Sequence, residues 1–307
     1  MPSSSYVDED GLLAILENYD IGTLGAFRHF AHGAGQTTLL LETSQGEAVL
    51  RLYENRTLAH VNFEAQLIAF LSSRAYPVPE IIEARDGGRV GLFQGKPYVL
   101  LEFVGGEHCQ NPNAEIDAAA LSAIVEAVAQ LHNLTVGAAL TFAHDRVPFD
   151  TTYGWQQFQR KHGALATASE SLRFKAALDA LEFPEGLPKG ICHADLNHAN
   201  FLLSGGTIAS VLDFDMSFYG PVIYDIASLI YWWAMPPNEP VRTDTARLIV
   251  ADYRKHRNLL DLEASHIGDA VKLIVLLGIA WGDHSEIEAE LDRVDELFAG
   301  DWLSPRG

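Results

Sequence analysis

Apolar positions change their period part-way along this 307-residue chain. After a helical pattern at 8–18, the stretch FRHFAHGAGQTTLLLETSQGEAVLRLYE falls into apolar runs separated by a glycine turn and a polar turn, which predicts three antiparallel strands. From Leu58 to Arg74 the spacing of Val61, Ala65, Ile68 and Leu71 is that of one helix stripe, and YPVPE then stops the helix and starts an extended segment. EIIEAR and PYVLLEFV predict two further strands, separated by a turn at Gly87 and Gly88.

The second half reads differently. Leu121, Ile124, Val128 and Leu131 mark a helix, and helical periods follow near 153–180, 222–234, 241–256, 263–280 and 285–298. A strand-rich part before a helix-rich part predicts an α+β chain: a small antiparallel β lobe over 1–104 and a larger, mainly helical lobe over 105–307, joined near FVGGE.

Composition narrows the class. With 48% hydrophobic and 20% charged residues and no repeat or low-complexity stretch, the chain reads as globular. Cys109 and Cys192 lack metal-type spacing, which excludes a zinc ribbon and fits a reducing compartment. MPSSSYVDEDG lacks a secretory pattern, and VKLIVLLGIAW, Val271 to Trp281, is too short to span a bilayer, so the expected location is the cytoplasm with no membrane partner. Forty-one acidic against 21 basic residues, a formal charge of −20, disfavour nucleic acid and favour cationic or neutral ligands, although acidity also serves solubility.

Candidate chemistry concentrates in ICHADLNHANFLL, Ile191 to Leu203, and in SVLDFDMS, where an apolar run ends at Asp213 and Asp215. Asp195 and Asn200, followed by Asp213 after a strand, form a phosphoryl-transfer pattern: one carboxylate takes a hydroxyl proton while an amide and a second carboxylate hold a metal. Oxygen donors of this kind suit Mg²⁺. A rival reading takes His193, Asp195 and His198 as ligands of a hydrolytic metal centre, but the sequence offers no second compact cluster to complete it. His193 is read instead as a brace for the loop. Asp225 in YDIASL is read as a structural carboxylate that caps a helix or fastens that loop. Glu64 falls on the apolar stripe, three residues after Val61, where a carboxylate needs a partner; Arg51 is the candidate.

HADLNHAN and LDFD together resemble the catalytic and metal-binding loops of the aminoglycoside phosphotransferase superfamily, which has a protein-kinase-like fold and includes choline and homoserine kinases. Its usual loop is H-G-D-L-H-x-x-N, followed by a strand ending I-D-[FW]. VLRLYE, NFEAQLIAFL, YVLLEFVGGE, VAQLHNL and YDIASL extend the resemblance, in the right order, from about residue 30 to about residue 233. It implies that Asp195 is the catalytic base and that Asn200 and Asp213 hold Mg²⁺. It further implies that ATP lies between the lobes, with Arg51, held by Glu64, at its phosphates and its adenine against Leu101 to Val104, including Glu102 and Val104. Gly33 and Gly35 would let backbone amides approach phosphate, although their spacing is short of a full glycine loop and a hairpin turn accounts for them equally well.

Two departures stand out. Arg51 occupies the usual lysine position, and Asn197 stands where many relatives have histidine. They are the main support for the alternative of a catalytically impaired nucleotide-binding scaffold. The resemblance implies an ATP-dependent kinase acting on a hydroxyl of a small acceptor. Aromatic and acidic residues in LIYWWAM and WGDHSEIE suit an amine on that acceptor, homoserine-like, aminoglycoside-like or another amino alcohol, with Trp232 and Asp283 as the expected contacts.

Overall fold

The computed structural model describes residues 7–30, 36–109, 117–140, 142, 146–237 and 239–300. Helix α1 (Glu9–Leu16) starts where the Asp8 side chain accepts the Gly11 N–H at 2.8 Å. Strands β1 (Leu24–His29), β2 (Gln36–Thr43), β3 (Gly46–Tyr53), β4 (Gly91–Phe93) and β5 (Lys96–Glu102) form an antiparallel five-stranded sheet in the order β1-β2-β3-β5-β4. Helix α2 (Leu58–Ser72), capped by Thr57, lies between β3 and β4 in the chain.

Alternation along β3 decides what each face of the sheet carries. Leu50 and Leu52 pack with Leu12, Ile15 and Leu100 in an outer core beneath α1. Val49, Arg51 and Tyr53 point the other way, toward α2 and the helical lobe. That places a guanidinium on the inner face of an otherwise apolar strand.

The sheet departs from the predicted strands at EIIEAR, which forms one isolated bridge, Ile81 to Leu101, and no strand. Its end is pulled aside, because the Arg85 N–H donates to Asn18 O at 2.8 Å and its side chain reaches Asp20 and the C-terminal end of α1. The fifth strand is β4, where Gly91 leaves room for Tyr98: a Cβ there would sit 2.2 Å from the Tyr98 ring.

The helical lobe contains α3 (Ala118–Thr135), α4 (Thr151–His162), α5 (Ala168–Asp179), α6 (Ile223–Ala234), α7 (Thr243–His256), α8 (Asp261–Ser265), α9 (Ile267–Trp281) and α10 (Ile287–Leu297). The helical period predicted over 153–180 divides because a Thr167–Glu170 capping box begins a new helix. That over 263–280 divides at His266. Two short ladders carry the loops of interest: β7 (Lys189–Cys192) pairs with β10 (Phe218–Pro221), and β8 (Phe201–Ser204) joins β6 (Glu107–His108) to β9 (Thr207–Val211). One apolar core runs from the buried stripe of α2 through α3, α6, α7 and α9. Among the described residues no helix is long and apolar enough to cross a membrane.

Candidate active site

The loop after β7 is built from the helical lobe outward. Asp225, at the start of α6 and fully buried, accepts the His193 N–H at 2.7 Å and the Ala194 N–H at 2.9 Å, while His132 Nε2 lies 3.2 Å from it. These bonds hold Ala194 in the left-handed region at φ 69°. Trp233 Nε1–H donates to Leu196 O at 2.9 Å. His193 spans the loop, with Nε2 donating to Leu212 O at 2.9 Å and Nδ1 accepting the Asp195 N–H at 3.3 Å. His198 lies against the Trp233 indole, ring centroids 4.1 Å apart, and burial, helped by Arg242, lowers its basicity.

Both nitrogens of His193 are therefore occupied. Among the described residues no three His, Cys, Asp or Glu side chains converge to hold a metal, so the His193–Asp195–His198 centre is not formed. Asp225 fastens the loop and His193 braces it.

The Asp195 carboxylate is held at both oxygens: Asn197 Nδ2 donates to Oδ1 at 2.8 Å and Asn200 Nδ2 to Oδ2 at 3.1 Å. Asn200 Nδ2 also donates to the Asp195 backbone oxygen at 2.7 Å. Its amide is thereby oriented so that Oδ1 is the atom left for a cation. Asp213 sits at φ 63°, a left-handed conformation uncommon for a residue other than glycine, and such strain persists only where surrounding contacts enforce it. Arg51 Nη2 donates to Asp213 Oδ1 at 2.5 Å, its Nη1 lies 3.4 Å from Glu64 Oε1, and its Nε donates to Gln36.

Two tendencies compete at Glu64. Burial raises its carboxyl to about 7 and Arg51 opposes this. Burial prevails because the Arg51 contact is long, the guanidinium is shared with Asp213, and Glu64 Oε2 has no hydrogen-bond partner.

Two cavities meet at Asp213. One, of about 350 Å³, is lined by Arg51, Glu64, Leu101, Glu102, Val104 and Asn200 along with Asp213. The other, of about 400 Å³, is lined by Asp195, Arg56, Tyr231, Trp232 and Trp281 along with Asp213. Asp195 and Trp232 thus border one space. Asp283 does not: it lines a third cavity with Glu286 and Glu290, on the other side of Tyr231 and Gly278, and its carboxylate accepts the Ser285 N–H at 3.2 Å. Gly33 and Gly35 lie outside the described residues. The Asn200 amide oxygen and the Asp213 carboxylate both border the first cavity, a hard-donor pair of the kind that suits a divalent cation.

A polar cluster that the sequence left unread surrounds Asp215. Arg56 Nε lies 2.9 and 3.0 Å from the two Asp215 oxygens and Nη2 adds another bond, while His60 Nε2 lies 3.0 Å from Oδ1. Arg146 donates to the backbone oxygens of Asp215, Ser217 and His60 at 2.7, 2.8 and 2.7 Å. Burial works against ionisation of Asp215, but the bonds from His60 and Arg56 outweigh it and hold the carboxyl well below the usual range. Burial likewise lowers Arg146 to about 10.

Known proteins extend this picture. A family model described as the phosphotransferase enzyme family matches residues 26–259. Homoserine kinase of Rhodopseudomonas palustris (strain HaA2) is 31% identical over 84% of this chain and 78% of its own. Homoserine kinase of Pseudomonas aeruginosa (strain LESB58) is 31% identical over 85% and 81%. Among solved structures, amicoumacin kinase hAmiN in complex with AMP-PNP, Ca²⁺ and Ami superposes with a TM-score of 0.72 at 19% identity, covering 94% of this chain and 92% of that one. A microcompartment-associated aminopropanol kinase gives 0.71 at 22%, covering 94% of each. These likenesses establish the α+β, protein-kinase-like fold. A match that begins in β1 and continues past α7 is more than one shared loop: the chain belongs to the phosphotransferase enzyme family, as a small-molecule kinase acting on a hydroxyl acceptor.

Proposed function

We propose that this enzyme transfers the γ-phosphoryl group of ATP, with Mg²⁺, to a hydroxyl of a small amine-bearing acceptor, homoserine or a near amino alcohol. The observation that carries the reading is the position of Asp195 on a cavity that meets a nucleotide-sized cavity at Asp213. ATP lies between residues 1–104 and 105–307, adenine beside Glu102 and Val104, with Arg51 turned to its phosphates. Asn200 Oδ1 and Asp213 would hold Mg²⁺, which when bound neutralises charge on the phosphate chain.

Asp195 accepts a hydrogen bond from the acceptor hydroxyl and takes its proton as the new O–P bond forms and the bond from the γ-phosphorus to the β,γ-bridging oxygen breaks, releasing ADP. Asn197 and Asn200 fix the carboxylate for this task. Asn197 thereby substitutes for histidine as a loop brace, which argues against an impaired scaffold. The acceptor is named from two supports: relatives that are homoserine kinases, and an aromatic wall of Tyr231, Trp232 and Trp281 suited to an ammonium group. The free thiols of Cys109 and Cys192 fit a cytoplasmic enzyme.

The test is ADP release with Mg²⁺ across homoserine, 3-aminopropan-1-ol, choline and an aminoglycoside, with phosphorus NMR of the product. Asp195→Asn should lower kcat by about 10²–10⁴-fold, the usual share of a general base, while nucleotide binding persists. An unchanged rate in that variant refutes the assignment.

A further inference from the structure

We infer that Arg56 is a specificity residue that receives a carboxylate of the acceptor, so that the preferred substrate is a hydroxy amino acid and not an amino alcohol lacking the acid group. The inference rests on the kinase reading and deepens it. Arg56 is the one cationic side chain among the described residues lining the Asp195 cavity. It is fixed in place from one side: Nε and Nη2 engage Asp215, whose Oδ1 also lies 3.0 Å from His60 Nε2. Nη1 makes no hydrogen bond among the described residues. A guanidinium has two edges that can each take a paired acceptor. Asp215 uses the edge running from Nε to Nη2; on the end-on edge Nη2 meets only the weak acceptor Met216 Sδ, at 3.8 Å, and Nη1 is left over a partly exposed surface, so an arriving carboxylate displaces no more than a thioether.

Charge in the cavity points the same way. Asp215 is answered by Arg56 and His60, Asp213 by Arg51, and Asp195 is assigned to the hydroxyl. No carboxylate of the cavity is then left for an ammonium group, whose place falls to the faces of Tyr231, Trp232 and Trp281. A hydroxyl at Asp195, an ammonium at the aromatic wall and an anion at Arg56 together describe a small zwitterion. The net acidity of the chain, which favours cations at long range, does not govern this local cation.

An oxyanion at Arg56 has two sources, the acceptor carboxylate and the transferred phosphate, and the experiment separates them. Steady-state kinetics are measured for homoserine, homoserine amide and 3-aminopropan-1-ol with wild type, Arg56→Gln and Arg56→Lys. In wild type, kcat/KM for homoserine should exceed that for the two uncharged-end analogues by roughly 10–100-fold, the range expected for paired charge-assisted bonds. In Arg56→Gln that ratio should collapse toward one through a rise in KM for homoserine, and Arg56→Lys should restore part of it. The ratio is internal to each variant, so a general loss through a loosened Asp215 does not imitate it. An equal ratio in wild type and Arg56→Gln overturns the inference. So does a rise confined to the KM for ATP, which assigns the residue to phosphate. Absence of turnover with every acceptor instead refutes the kinase reading and removes this inference with it, a result distinct from turnover that ignores the carboxylate.

Discussion

Asp225→Asn is the sharpest probe of how the catalytic loop is held. The carboxylate is fully buried and serves three donors at once, the N–H groups of His193 and Ala194 and the His132 ring. Asparagine has nearly the same shape but only one acceptor oxygen, so its amide nitrogen must face a donor. Each bond to a charged group contributes about 1.5–3 kcal/mol, and the cheaper placement, amide nitrogen at the Oδ1 position, loses the Ala194 bond and opposes that one donor at a cost of roughly 2–4 kcal/mol. At about 2–4 °C per kcal/mol for a domain near this size, the variant should melt roughly 5–15 °C lower. Ala194 is held at positive φ by the same carboxylate, so Asp195 should also lose its position and kcat should fall. Ser228→Ala is the contrast, since its hydroxyl accepts only the long 3.4 Å bond from Leu196 N–H and its loss should cost about 1 kcal/mol or less. Differential scanning calorimetry with parallel kinetics reads both effects. An Asp225→Asn protein that melts within about 2 °C of wild type and keeps its rate would show that the loop stands without this carboxylate.

Two further outcomes follow from the same geometry. Glu64 carries a carboxyl raised from 4.5 to about 7, so the folded protein keeps a proton there that the unfolded chain releases. Its contribution is full below the unfolded value and is lost as pH rises through 7. Stability relative to Glu64→Gln should therefore fall across that window, by up to about 1.4 kcal/mol per pH unit, and level off above it; parallel urea-unfolding profiles would contradict this. Ala194→Gly relieves a left-handed alanine worth about 1–2 kcal/mol, offset by about 0.5–1 kcal/mol of glycine entropy. The net should be a small gain in urea-unfolding free energy, and a loss beyond about 1 kcal/mol would mean that the alanine methyl does packing that the φ angle does not reveal.

Sequence patterns carried far at some positions and stopped short at others for definite reasons. Helical spacing put Glu64 on the buried stripe, where a carboxylate needs a partner, and Arg51 was the candidate; the structure brings the two within 3.4 Å because alternation along β3 turns Arg51 inward. EIIEAR has a strand's composition, yet contacts of Arg85 with the end of α1 decide its path, and no local pattern reports them. Arg56, His60, Arg146 and Asp215 were unread because they come from three distant segments and have no shared period. Trp232 and Trp233 are neighbours in sequence, but one turns to the cavity while the other is buried with its indole N–H on Leu196. Asp283 shows the limit of grouping residues by chemistry alone, since Tyr231 and Gly278 stand between its cavity and that of Asp195.

Asp213 and Asp215 are two residues apart and bind different parts of the small lobe: Asp213 meets Arg51 on the sheet, and Asp215 meets Arg56 and His60 at the entrance to α2. The two anchors are unequal in what it costs to release them. Separating α2 from the metal loop would strand the buried Asp215 carboxylate, free the Arg146 bonds, and expose Val61, Phe63, Ala65 and Ile68, which belong to the core of the helical lobe. Releasing Arg51 from Asp213 exposes no comparable apolar surface, and Glu64 and Gln36 remain as partners. Rearrangement around an arriving nucleotide therefore costs least when Arg51 moves and α2 stays with the metal loop. In that case Arg56 keeps one edge on Asp215 throughout, which is the condition its other edge needs to select an acceptor.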